Sequence, residues 1–107
     1  MLRIINKQID ALIALLNEKH PEGPDVYLHV AEDSDTIYTG EEMAFGVYDT
    51  DKKEIYVAGD LEPEEVLYTI AHEFAHHLQN TSGEGYDEEY ADEYAAAILE
   101  ELKEKEI

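Results

Sequence analysis

The sequence predicts an α+β fold: an N-terminal backing helix, a small antiparallel sheet of about three strands, a histidine-bearing helix and a C-terminal glutamate helix. Three observations carry this. Apolar residues recur at three- and four-residue steps in the first segment and in two late ones. They alternate by twos in three short segments between. Pro and Gly clusters separate the two regimes. With 107 residues and no internal repeat or long linker, we read residues 1–107 as a single domain.

The elements follow in order. From Leu2 to Lys19, the residues Ile5, Ile9, Leu12, Ile13 and Leu16 give a helix one apolar face. His20-Pro21-Glu22-Gly23-Pro24 stops it. Val26 to Val30 sets Val, Leu and Val against Tyr27 and His29, as in a half-buried strand. Ala31 to Glu42 is acidic and aperiodic and reads as a loop. Ala44 to Tyr48 and Glu54 to Ala58 are two more strands, joined through the polar turn Asp49 to Lys53 as a hairpin. Pro63 sits where the first turn of a helix tolerates proline, with Glu62, Glu64 and Glu65 favourable to the dipole. That helix is expected to end near Leu78. Thr81 to Gly85 is a short loop, and a last helix begins near Asp87 and runs towards Lys105.

Composition excludes several classes of function. The absence of cysteine removes disulfide scaffolds, thiolate zinc sites and cysteine nucleophiles. Seven Lys and Arg against 27 Asp and Glu give a formal charge of −20. Such a chain lacks the basic footprint that nucleic acid requires and is repelled by anionic membranes. Met1 to Asp10 is interrupted by Arg3, Asn6, Lys7 and Gln8, unlike the core of a signal peptide. The expectation is a soluble, cytoplasmic protein without membrane insertion.

The chemistry concentrates in His72-Glu73-Phe74-Ala75-His76. Residues four apart on a helix lie about 40° apart around the axis, so both imidazoles can reach one metal ion. Neutral imidazole suits zinc. Glu73 lies about 100° from His72, beside the ligands, where a carboxylate can deprotonate a metal-bound water. Leu67, Ile70, Ala71, Phe74, Ala75 and Leu78 form the apolar stripe of the same helix, which leaves His72, Glu73 and His76 facing a cleft or solvent.

A zinc site needs a further ligand. On the last helix, Ala91, Ala95, Ile98, Leu99 and Leu102 define the apolar arc, and Glu88 and Asp92 fall at its edge or within it. Carboxylates there need a cation or a donor to meet them. Glu88 is therefore assigned as third ligand, with Glu89 as the alternative, and Asp92 as an acceptor orienting His72 or His76. His77 reads as a surface or supporting histidine, and His20 and His29 as structural.

These residues resemble the gluzincin zinc metallopeptidases, which pair H-E-x-x-H with a downstream Glu and an Asp four residues further on. Glu88 to Asp92 is similar to the CAAX-protease-like and HtpX-like peptidases, and Ile55 to Leu78 to the ImmA/IrrE peptidases. Length and element order are most like the minigluzincins, minimal soluble catalytic scaffolds. The resemblance spans roughly residues 44–102. Gln79 and Ser82 stand where the extended metzincin motif has Gly and His, which excludes that branch.

The resemblance implies a zinc-dependent endopeptidase with one zinc per chain held by His72, His76 and Glu88, and a water activated by Glu73. It implies that the first hairpin arm, Ala44, Phe45, Gly46 and Val47, rims the cleft and pairs with an extended peptide substrate. Larger gluzincins supply an oxyanion-stabilising group from a second subdomain; here Tyr86 or Tyr90 could stand in. The resemblance also implies latency through the acidic tail Glu100 to Ile107, or self-association through the C-terminal helix. Two alternatives remain open at this point: a regulatory peptidase with one dedicated protein target, and a non-catalytic acidic binding or mimic protein.

Overall fold

The computed structural model describes residues 2–22, 25–31, 38–39, 42–43, 46–58 and 62–105. The elements are α1 (Leu2–Lys19), β1 (Tyr27–Ala31), β2 (Tyr38–Thr39), β3 (Glu42–Met43), β4 (Gly46–Asp49), β5 (Glu54–Ala58), α2 (Pro63–Ser82) and α3 (Glu88–Lys105). The α+β class is as expected from the sequence.

The sheet itself is mixed rather than wholly antiparallel. β5 lies at its centre, with β4 antiparallel on one side and β1 parallel on the other. Gly46 stands opposite Val57 and Asp49 opposite Glu54, whereas Tyr27 to Ala31 run in step with Glu54 to Ala58. Alternation reports which face of a strand is buried, not the direction of its neighbour. The short turn between β4 and β5 forces those two to be antiparallel, while β1, far off in sequence, can dock in either sense. Asp49 Oδ1 builds that turn by accepting from the N–H groups of Asp51 at 2.9 Å and Lys52 at 3.0 Å. Lys53, at φ 55°, completes it. The segment expected to be a loop contains the small antiparallel ladder β2–β3.

In α1, Leu15 is buried and Ile13 is exposed on the outer side, the reverse of the expected face at those two positions. The buried stripe of Ile9, Leu12, Leu15 and Leu16 centres on Leu12, and Ile13 lies about 100° round from it. α2 runs four residues past its expected end. Gly83 stops it at φ 80°, a left-handed conformation that costs glycine little, and Glu84 N–H closes the cap on Gln79 O at 3.0 Å.

α2 is the central helix, packed on α3, on β4 and β5, and on α1. Its Val66, Leu67 and Ile70 meet Leu12 and Leu16 of α1, Ile55 and Val57 of β5, and Ile98, Leu99 and Leu102 of α3 in one core. This core fixes the face that α2 turns towards the start of α3. Leu12 is fully enclosed, so Leu12→Ala is expected to cost about 2–5 kcal/mol in urea unfolding. Ile13→Ala should cost clearly less; equal costs would mean that α1 is packed in a different phase.

Candidate metal centre

The core face of α2 and the apolar arc of α3 pack together, and this packing brings the first turn of α3 over the histidines. Asp87 starts α3: its carboxylate accepts from Tyr90 N–H at 3.2 Å and its carbonyl from Ala91 N–H at 3.2 Å. Glu88 follows as the first helical residue. Its two carboxylate oxygens meet the two Nε2 atoms, Oε2 at 3.1 Å from His72 and Oε1 at 3.0 Å from His76. One ligand atom from each of the three residues lies within 4.8 Å of the others, and this is the metal-capable group among the described residues. Glu89 is exposed and lies outside the group.

The outer nitrogens of both imidazoles face oxygens. His76 Nδ1 lies 2.9 Å from Gln79 Oε1, in a buried hydrogen bond. His72 Nδ1 lies 3.0 Å from Asp92 Oδ1, a close contact out of line for a formed hydrogen bond. Tyr68 donates its hydroxyl to the same Asp92 oxygen at 2.9 Å. Burial, and then that bond, push the Tyr68 phenol above its ordinary pKa. Asp92 thus sits beside His72, one of the two histidines it was expected to orient.

Of the three residues expected to face a cleft or solvent, His76 is enclosed, only 4% exposed, and lines a cavity together with Glu73. The Tyr86 ring stacks on His76 with centroids 4.1 Å apart and planes 8° from parallel. The Tyr86 hydroxyl donates to Glu88 Oε1. Burial and that hydrogen bond raise the Tyr86 pKa to about 12, so the phenol is a neutral donor at neutral pH. The same bond, followed by the nearby histidines, holds the Glu88 carboxyl below its ordinary range against the effect of burial.

Glu73 is half-buried beside the histidines. Burial pushes its carboxyl pKa up, with His76 and His72 pulling the opposite way. Glu73 lines a cavity of about 330 Å³ between β4 and α2, together with His76, Tyr86, Gly46, Val47 and Tyr48. A larger hollow of about 1060 Å³, between the start of α2 and the end of α3, includes none of these residues.

The narrowness of the β4–α2 gap explains Gly46. A Cβ there would lie 2.3 Å from Thr69 Cγ2 and 3.3 Å from Glu73 Cγ. Of the four residues expected to rim the cleft, Gly46 and Val47 line the cavity, and Ala44 and Phe45 lie outside the described residues.

His77 is buried rather than at the surface. It shares a hydrogen bond of 2.8 Å with the Tyr48 hydroxyl, which also accepts from Asn80 Nδ2 at 3.2 Å. His20 meets Tyr94 Oη at 2.9 Å, consistent with a structural role. Tyr90 is away from the cavity, its ring beside Tyr94. The acidic tail continues α3 with Leu102 in the core, and Lys105 lies about 25 Å along the helix from Glu88. Glu106 and Ile107 lie outside the described residues.

Sequence reasoning missed Gln79 and Tyr68. Gln79 had a signal, a polar residue three positions after His76 on the same helix face. Tyr68 had the corresponding one, four positions before His72.

Fold and site together define an α+β protein with a His-His-Glu cluster that could hold a metal ion. The chain belongs to the family described as "Putative metallopeptidase family (DUF6782)", whose model matches residues 5–100. No curated protein and no solved structure matches it. Among the described residues, no helix is long and apolar enough to cross a membrane.

The Gly46 contact makes a paired prediction. Gly46→Ala should destabilise the fold by about 1–3 kcal/mol through overpacking against Thr69. Adding Thr69→Ser removes the clashing methyl and should restore much of that loss in thermal melts. Purely additive losses would show that β4 does not press on α2 at this point.

Proposed function

We propose that this chain is a zinc-dependent endopeptidase of gluzincin type, in which His72, His76 and Glu88 hold one zinc ion and Glu73 moves the proton. The observation that carries the reading is the convergence of the two Nε2 atoms on the Glu88 carboxylate at 3.1 and 3.0 Å, with Glu73 lining the adjoining cavity. Two imidazoles and one carboxylate are a donor set that suits zinc, and both outer nitrogens face oxygens that can orient the rings. When bound, zinc supplies Lewis acidity, polarising a carbonyl and making water a stronger acid near neutral pH.

The remaining steps fall to the chain's own residues. β4 is an edge of its sheet, so its outer backbone groups can pair with an extended peptide and lay the scissile bond along the cavity. Gly46 lets that strand run against Glu73. The Glu73 carboxylate takes the proton from the attacking water and delivers it to the leaving amine. Tyr86, neutral and hinged beside His76, can turn its hydroxyl from Glu88 to the developing oxyanion. The negative charge of the molecule favours basic peptides. A cytoplasmic setting fits a chain without cysteine.

Native mass spectrometry after one equivalent of zinc, followed by peptide-cleavage assays, tests the reading. Wild type should hold one zinc ion and Glu88→Ala should hold it more weakly. Glu73→Gln should still bind zinc while cleavage falls by about 10²–10⁴-fold. Absence of stoichiometric zinc, or an active Glu73→Gln, would overturn it. Cleavage of a lysine-rich peptide should also slow as salt is added; a rate indifferent to salt would remove the preference for basic substrates.

A further inference from the structure

Gln79 is 3% exposed, deep between α2 and the turn that leads into α3. A buried primary amide must satisfy two different ends, because its oxygen only accepts and its nitrogen only donates. Here both ends are used. Nε2 donates to Asp87 O at 3.0 Å, and Oε1 accepts from Asp87 N–H at 3.3 Å. The Asp87 backbone therefore fixes which way round the amide lies. With that orientation fixed, it is Oε1 that meets His76 Nδ1 at 2.9 Å. An oxygen acceptor there requires the hydrogen to sit on Nδ1. With that hydrogen on Nδ1, Nε2 is the nitrogen left to bind a metal ion, and it lies 3.0 Å from Glu88 Oε1.

The second arm of the amide acts on the other helix. Asp87 immediately precedes Glu88, and its own carboxylate caps α3 through Tyr90 N–H at 3.2 Å. Gln79 holds the main chain of Asp87 from below while the cap holds its side chain from above. One side chain thus ties the orientation of His76 to the position of Glu88, although the two ligands lie on different helices.

We propose that Gln79 is the positioning residue of this metal centre: it selects the Nδ1–H form of His76, aiming Nε2 at the metal, and registers Glu88 opposite it. The inference rests on the metal-site reading above.

The test compares Gln79→Leu, similar in size but unable to accept, with Gln79→Glu, which keeps an oxygen at His76 Nδ1. Zinc affinity is read by competition with a chromophoric chelator, and folding by far-UV circular dichroism. Gln79→Leu is expected to lose about 10–100-fold in zinc affinity, the usual effect of removing a partner that orients a ligand. Gln79→Glu should fall between Gln79→Leu and wild type, since its carboxylate is a competent acceptor for His76 Nδ1–H but cannot donate to Asp87 O. Wild-type affinity in Gln79→Leu, or equal losses in both variants, would overturn the proposal.

If Gln79→Leu does not fold, nitrogen-15 spectra of the zinc-loaded wild type decide. A slowly exchanging hydrogen on His76 Nδ1 beside the Gln79 amide upholds the proposal, and a freely exchanging one, or zinc on Nδ1, overturns it. If the wild type itself takes up no zinc, it is the reading of the site that fails. The two failures are therefore distinct.

Discussion

A helix covered by a sheet on one side and by a second helix on another buries much of its surface, so each polar group on the covered faces has to find a partner within the fold. α2 is in this position, and most of the structure around the site follows from it. His76, His77 and Gln79 are all buried on it. His77 is met by Tyr48 of β4, His76 by Gln79 and Glu88, and Gln79 by the backbone of Asp87. The partners come from the sheet on one side and from the start of α3 on the other. Burial, with its large penalty for unpaired polar atoms, thereby fixes how α3 enters. The tight approach of β4 at Gly46 belongs to the same enclosure.

Much of this was legible in the sequence where a short-range rule applied. The bounds of α1 follow from periodicity and the prolines after it. The β4–β5 hairpin follows from its short polar turn, and α3 starts within a residue of the expected Asp87. His72 and His76 were readable because a four-residue step on a helix is a geometric statement about two side chains. Glu88 and Asp92 were readable as acids at the edge of an apolar arc, which is unfavourable without a partner. The structure places Glu88 against both histidines and Asp92 against one of them.

The rest was not legible because it depends on contacts between elements distant in the chain. The direction of β1 beside β5 is a matter of docking, which alternation does not encode. The burial of His76 arises from Tyr86, whose ring covers it from the turn between the helices. The exchange of Leu15 for Ile13 on the inner face of α1 is a rotation of the apolar stripe. Both positions are apolar, so a helical pattern leaves that rotation undetermined. Gln79 presents a subtler case. Its place three residues after His76 was visible, but its value lies in meeting Asp87, and that requires the turn after Gly83 to fold the chain back.

An open strand edge and a strongly acidic chain are two features that support one another. β4 must leave its outer backbone groups unpaired if a substrate is to align there, yet such an edge is also a template for a second copy of the same chain. Edge-to-edge pairing would bring two backbones to about 4.8 Å. That is inside the roughly 8 Å over which charge remains effective at physiological ionic strength. Two copies, each carrying a formal charge of −20, therefore repel one another most strongly at the separation that pairing needs. A basic or neutral peptide meets no such opposition. On the proposed reading, that charge thus discriminates between the two occupants such an edge would accept, favouring a peptide over a second copy of the chain.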